Sequence, residues 1–289
     1  MRAKKPTLAI VLALLSSLVI LPGAAATPSA TPSGTPTPSI EPTETPTPST
    51  VPIPPRKVAK YDIRFPFFQQ AQFSATFGEH VFSYKQADSI WVLVNKARPL
   101  NPVTYAPNVV RPRFAKAGLS NPLNQKLRAD AAGAIAALDK QMFKELGMRI
   151  TLNSAYRSYQ SQQTVHALMV KKWGMTKGEH IAAREGFSEH QTGLAIDISP
   201  IAVSCSKCSR AAGYGWLAKN SWKFGYILRY PEKKAKVTGY QYEPWHFRYI
   251  GELLAEEYHY LGAKTLEEFL GSGAAPGYDV PAVDADYFY

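Results

Sequence analysis

The chain has 289 residues, a formal net charge of +11 and two cysteines. Two cysteines cannot complete a four-cysteine zinc knuckle, and the absence of a second membrane-length apolar run excludes a multi-spanning protein. The positive charge suits contact with anionic polymers; no nucleic-acid-binding module is recognisable, which leaves wall polymers such as teichoic acids as partners, or solubility alone.

The first 26 residues read as a secretory signal peptide. Arg2, Lys4 and Lys5 form a basic start, Leu8 to Leu21 is apolar apart from Ser16 and Ser17, and Ala24, Ala25 and Ala26 offer small residues for cleavage before Thr27. An uncleaved anchor is the alternative, but the apolar core is short for a full span. No cysteine follows it, which argues against a lipoprotein anchor. Residues 27–55 contain 10 Pro, 8 Thr and 4 Ser and no Lys or Arg. Such a segment builds no core and reads as an extended, disordered spacer, reaching roughly 90 Å at ~3.1 Å per residue. Residues 56–87 form an N-terminal extension rich in Phe and Tyr, with no assignable role.

The main folded region is expected over 88–262. Ile90 to Val94 reads as a buried strand and is followed by a Pro-rich loop from Pro99 to Pro112. Asn121 and Pro122 look like the N-cap and first turn of a helix. Leu123, Leu127, Ile135, Leu138, Met142 and Phe143 would form its apolar stripe, with Gly147 closing it. Ile150 to Leu152 reads as a strand, Ser161 to Lys172 as a helix, and Leu194 to Ile198 and Trp245 to Ile250 as strands. In the last of these, Trp245, Phe247 and Tyr249 share one face and His246 and Arg248 the other. One more helix follows Gly262, within a C-terminal tail over 263–289. The pattern predicts an α+β domain with a small antiparallel sheet flanked by helices.

Cys205 and Cys208 form a Cys-x-x-Cys pair. It reads as half of a zinc knuckle, a redox dithiol or a local structural disulfide. The missing second pair and the missing thioredoxin-like context favour the disulfide, in an oxidising compartment.

The chemistry concentrates in two motifs. Ser188-Glu189-His190-Gln191-Thr192-Gly193-Leu194-Ala195-Ile196-Asp197 carries an imidazole and a carboxylate separated by a turn that Gly193 permits. Glu243-Pro244-Trp245-His246 adds a second imidazole and a second carboxylate. A catalytic zinc takes three protein ligands and leaves one position open. The helical two-histidine arrangement of many zinc peptidases is absent, so a site here needs a turn, two strands and a bend at Pro244. His80, His166 and His259 read as core or surface residues, and His180 has a weaker claim to the site.

These motifs, together with Ser154-Ala155-Tyr156-Arg157-Ser158-Tyr159 and Gln163, resemble the VanY-type D-alanyl-D-alanine carboxypeptidases. These are zinc peptidases of peptidoglycan, related in fold to lysostaphin-type enzymes and the hedgehog domain. Gly215-Trp216-Leu217, Phe224-Gly225-Tyr226, Arg229-Tyr230-Pro231 and Gly239-Tyr240 extend the likeness, which covers Ile90 to Gly262. Ala155 stands where the family usually has Gly. The resemblance implies one zinc per chain held by His190, Asp197 and His246, with Glu243 as general base. It implies Arg157 as the group facing the substrate carbonyl, and Gln163, Ser188 and Tyr230 as lining for the terminal carboxylate. It further implies a bacterial enzyme acting on peptidoglycan stem peptides, expected as a monomer; the signal and spacer place it as secreted or wall-associated, with no membrane span once the signal is removed. Removal of terminal D-alanine is the first expectation. L,D-carboxypeptidase action on tetrapeptide stems and cross-link endopeptidase action are alternatives, and a non-catalytic wall-binding module is the alternative from another class.

Overall fold

A central sheet of four antiparallel strands organises the molecule, as seen in a computed structural model. The structure describes residues 83–205 and 207–279, with the backbone of Thr76–Phe77 (β1) and His80–Val81 (β2), which pair as a short hairpin. The chain divides into units 1–64 and 65–289. The first unit, including the expected signal and spacer, lies outside the described residues, as do most of the 56–87 extension and the last ten residues of the tail.

The sheet strands are Met148–Ser154 (β3), Ala195–Ala202 (β4), Tyr226–Leu228 (β5) and His246–Tyr249 (β6), in the order β3-β4-β6-β5. Helices Ala117–Ser120 (α1), Ala129–Leu146 (α2), Tyr159–Trp173 (α3), Met175–Ile181 (α4), Arg210–Asn220 (α5), Ala235–Thr238 (α6), Glu252–Tyr260 (α7) and Leu266–Phe269 (α8) surround it. The α+β architecture with a small antiparallel sheet is therefore the observed one. No helix among the described residues is long and apolar enough to cross a membrane.

Alternation explains how the sheet is covered. Met148, Ile150 and Leu152 point from β3 into the core, against Ile135, Leu138 and Met142 of α2. Asp139 on α2 accepts from Arg149 at 2.8 Å and from the Ile150 amide at 2.8 Å, tying the helix to the strand edge. Gly147 ends α2 at φ +63°, and its carbonyl accepts from the Val203 and Ser204 amides. The segment after β4 thereby folds against the helix end, where Cys205 and Cys208 are joined by a disulfide.

Two expected elements differ. The long helix begins at Ala129, not at Pro122. Asn121 uses its side chain to hold a loop instead of a helix: its Oδ1 accepts from the Gln125 amide at 2.7 Å and its Nδ2 donates to the Gln125 carbonyl at 2.9 Å. Leu127 then bridges to Val110. Trp91 to Val94 are buried and Ile90 is partly buried, but the segment is not a strand. Its carbonyls are satisfied by a side chain, with Arg248 Nη2 donating to Ile90 O at 3.1 Å and to Val92 O at 2.7 Å.

Lys96 follows that segment and is only 2% exposed. Its Nζ donates to Gly239 O at 2.7 Å and lies 4.6 Å from the centre of the Tyr240 ring. Burial lowers its pKa to about 8, opposed by Glu179 and aided by Arg184. Between about pH 8 and the unfolded value of 10.5, the unfolded chain holds a proton that the folded chain has released, so stability rises with pH in that window. Urea unfolding of the wild type and Lys96→Met should therefore show the wild type gaining on the variant by ~2–3 kcal/mol between pH 7.5 and pH 10. A pH-independent gap would mean the ammonium is not strained by burial.

Candidate metal centre and active site

The sheet register assembles the centre. Asp197 on β4 pairs with His246 on β6 on one side and with Ser154 on β3 on the other. Residues directly opposite on paired strands point to one face, so one row across three strands carries a carboxylate, an imidazole and a hydroxyl. A bulge between Leu152 and Ser154 sets that row. His190 comes from the 3-10 turn Glu189–Thr192, which Gly193 closes at φ +71°. The positive φ favours glycine there, and a β-carbon at Gly193 would also crowd Arg128 Cγ and Pro107 Cγ at 3.2 Å.

His190, Asp197 and His246 are all buried, and their ligand atoms lie within 4.8 Å of one another. His190 Nε2 is 3.3 Å from Asp197 Oδ2, and His246 Nδ1 is 3.2 Å from Asp197 Oδ1. Zinc bonds of ~2.0–2.1 Å in a tetrahedron put neighbouring ligand atoms roughly 3.3 Å apart, and each imidazole lies at that spacing from one of the two Asp197 oxygens. Asp197 Oδ1 makes no hydrogen bond despite full burial, which also fits an oxygen reserved for a cation. The His190 Nδ1 faces the Ala155 carbonyl at 2.7 Å. That bond turns Nε2 toward the centre. Ala155 thus serves through its backbone, which a missing or present methyl does not alter.

Electrostatics point the same way. Burial pushes His246 down, but the adjoining carboxylates of Asp197, Glu189 and Glu243 outweigh it and raise its pKa to about 9. Burial pushes Asp197 up, yet His190 and His246 hold it well below the usual carboxylate range. Such a pocket calls for positive charge.

Glu243 reaches the same face through a turn. The His246 amide donates to Glu243 O at 3.2 Å, with Pro244 between them at the position that favours it. This brings Glu243 Oε2 to 3.7 Å from His246 Nδ1. Burial raises Glu243 to about 8; Asp197 and Glu189 add to this, while His246 and Arg157 oppose it. A dication at the three ligands would draw that value down.

Arg157 enters from the loop between β3 and α3. Its Nη2 donates to Ser154 Oγ at 2.9 Å and its Nη1 to Gln162 Oε1 at 2.8 Å. Gln162 is 1% exposed and donates its own Nε2 to the Ala183 carbonyl at 2.6 Å. Gln163, the next residue in the helix, points about 100° away from Gln162 and donates to Glu185 Oε1 at 3.4 Å. Tyr230 is buried with its ring 4.7 Å from that of His246. Ser188 is buried immediately before the turn that carries His190. His180 is exposed, bonding to Thr176 O, and does not join the cluster.

Sequence reasoning missed Glu189. It is 2% exposed, with Oε1 accepting from Arg229 Nε at 2.8 Å and Arg248 Nη1 at 2.9 Å. Its Oε2 lies 3.4 Å from His246 Nε2. Burial pushes Glu189 up, but Arg229 and Arg248 outweigh it and hold the carboxyl well below its ordinary range. No local signal marked it, because Glu189 stands between Ser188 and His190 in a polar stretch.

The family described as VanY, D-alanyl-D-alanine carboxypeptidase, matches over residues 124–252. YodJ of Bacillus subtilis is 36% identical over 174 residues, 58% of this chain and 63% of that protein. The bifunctional D-Ala-D-Ala dipeptidase and D-Ala-D-Ala carboxypeptidase VanXYC of Enterococcus gallinarum is 30% identical over 192 residues, 61% of this chain and 97% of that protein. The chain therefore spans less than two thirds of the first of these and nearly all of the second. Among solved structures, the LD-carboxypeptidase LdcB has a TM-score of 0.54 at 34% identity, covering 64% of this chain and 87% of that one. The vancomycin-resistance D,D-pentapeptidase VanY, as a variant in complex with Zn(II), has a TM-score of 0.51 at 29% identity, covering 63% and 98%.

Proposed function

Because the chain belongs to the VanY D-alanyl-D-alanine carboxypeptidase family, we propose that it is a zinc-dependent carboxypeptidase removing the terminal D-alanine from peptidoglycan stem peptides. The observation that carries this reading is the convergence of His190, Asp197 and His246, whose ligand atoms lie within 4.8 Å of one another, with Glu243 and Arg157 beside them. We assign those three as ligands of one zinc. When bound, zinc would act as a Lewis acid and bring a coordinated water's pKa to ~7.

Glu243 takes the proton of the attacking water and hands it to the departing amine. Arg157, locked by Ser154 and Gln162, presents fixed positive charge where the scissile carbonyl gains negative charge. Burial lowers the Arg157 pKa, while Asp197 and Glu243 raise it. The guanidinium stays charged throughout. Tyr230 and Ser188 line the pocket for the terminal carboxylate.

A second reading is removal of D-alanine from an L-centre in the tetrapeptide. The 34% identity to LdcB, against 29% to the D,D-pentapeptidase VanY, favours keeping it. For both readings we place the enzyme outside the cytoplasmic membrane as a monomer, carried there by the 1–26 signal and held at a distance by the 27–55 spacer. Its 88–262 catalytic domain would meet peptidoglycan in a wall whose anionic polymers attract its positive charge.

Mass spectrometry of pentapeptide and tetrapeptide muropeptides after incubation with the purified protein decides the bond: loss of alanine from the pentapeptide alone is expected. Zinc content offers a separate check. The wild type should hold one zinc per chain and His246→Ala well under half of that; a wild type that neither carries zinc nor takes it up would sink the metal reading.

A further inference from the structure

We infer that Glu189 is the positioning residue for His246, fixing through Nε2 which ring nitrogen His246 offers to the metal. The inference rests on the zinc reading above and deepens it.

The two histidines present different nitrogens to the centre. His190 has its Nδ1 engaged by the Ala155 carbonyl and offers Nε2. His246 is the reverse: Nδ1 faces Asp197 Oδ1 at 3.2 Å, while Nε2 faces Glu189 Oε2 at 3.4 Å. An imidazole that binds metal through Nδ1 carries its proton on Nε2, and that proton needs an acceptor when the ring is buried. His246 is 5% exposed, and Glu189 is the acceptor the fold supplies.

Glu189 is held for this task by elements far apart in sequence. Arg229, beyond β5, and Arg248, within β6, both donate to Oε1, leaving Oε2 directed at the imidazole. Arg229 is in turn clamped by Glu267 of α8 through bonds of 2.9 and 2.6 Å, and Glu267 Oε1 also accepts from Asn95 Nδ2 at 3.0 Å. Two guanidinium groups and two carboxylates cancel in charge, so the group can be buried as a unit. Its side chains reach the proposed metal ligands from Glu189 to His246, while the Arg229 amide donates to the His246 carbonyl at 3.2 Å. A carboxylate orienting a ligand histidine in this way is a recurrent means of setting metal affinity.

The test is Glu189→Gln. The amide oxygen can still accept from the arginines, but its NH2 would face His246 Nε2 and favour the wrong tautomer. Chelator competition should show zinc affinity falling ~10–100-fold. The Co(II)-substituted protein should show an altered visible spectrum. Asp139→Asn is the control for mere loss of stability, because it breaks the buried pair with Arg149 and touches no ligand. It should lower the Tm while keeping zinc affinity within about threefold. Zinc-loaded wild type gives a reading that does not depend on any variant folding: the Nε2 proton of His246 should persist as a resolved NMR resonance. Wild-type zinc affinity in a folded Glu189→Gln, equal loss in Asp139→Asn, or a His246 bound through Nε2 would each overturn the inference alone. A wild-type chain that takes up no zinc would overturn the metal reading, and this inference with it.

Discussion

Glu243→Gln is expected to retain one zinc per chain and to lose ~10²-fold or more in kcat, with KM little changed. The substitution keeps the shape of the side chain and removes its ability to take a proton. The proposed metal does not need Glu243, because the ligand atoms of His190, Asp197 and His246 lie within 4.8 Å of one another without it. It is close enough to serve the reaction, at 3.7 Å from His246 Nδ1 on the face of the ligand row. The partly buried position also matters. With its pKa raised to about 8 by burial, the carboxyl holds a proton more readily than an exposed glutamate, and a dication beside it brings the value back toward neutrality. A group poised near the working pH can both accept and return a proton. The measurement is zinc content alongside steady-state kinetics on a stem pentapeptide. Unchanged turnover would remove Glu243 from the mechanism, and loss of zinc together with turnover would make it a ligand instead of a base.

Arg229→Met should cost ~3–5 kcal/mol of folding stability. Arg229 is fully buried and is bonded at Nε to Glu189 and at both terminal nitrogens to Glu267. Without it, Glu267 keeps Asn95 as its remaining side-chain partner among these bonds, and Glu189 keeps Arg248. Buried carboxylates with so little compensation are strongly disfavoured. The double variant Arg229→Met with Glu267→Met removes the larger of these imbalances, since Glu267 loses two bonds, and should recover more than half of the loss. Urea unfolding of the two single variants and the double measures the coupling. A single variant within ~1 kcal/mol of wild type would mean that the network is not under electrostatic tension.

Much of the centre was legible before any coordinates. His190, Asp197, Glu243 and His246 stood out because metal and proton chemistry restrict residue type, and Gly193 and Pro244 announced the turns between them. The strands around Ile150, Ile196 and Phe247 followed from apolar runs of strand length, and Gly147 from its place at the end of a helical stripe. Ile90 to Val94 failed for a physical reason: an apolar run reports burial, and whether its carbonyls meet a strand or the Arg248 guanidinium depends on a partner some 150 residues away. Asn121-Pro122 failed because an N-cap residue and a loop-forming asparagine use the same side-chain atoms. Gln162 and Gln163 are chemically identical neighbours, and only the phase of α3 against Ala183 separates them.

The sequence by itself determined the candidate ligand types, their order and the α+β class, because these depend on side-chain chemistry and on periodicities of a few residues, and its likeness to a known family singled out Glu243 as the candidate base. The tertiary structure alone decided which nitrogen each histidine presents, which glutamine braces Arg157, and that Glu189 belongs behind His246. Those outcomes depend on strand register and on buried charges drawn together from Asn95, Arg229, Arg248 and Glu267. No local pattern encodes them, because each buried charge is stable only in the presence of the others.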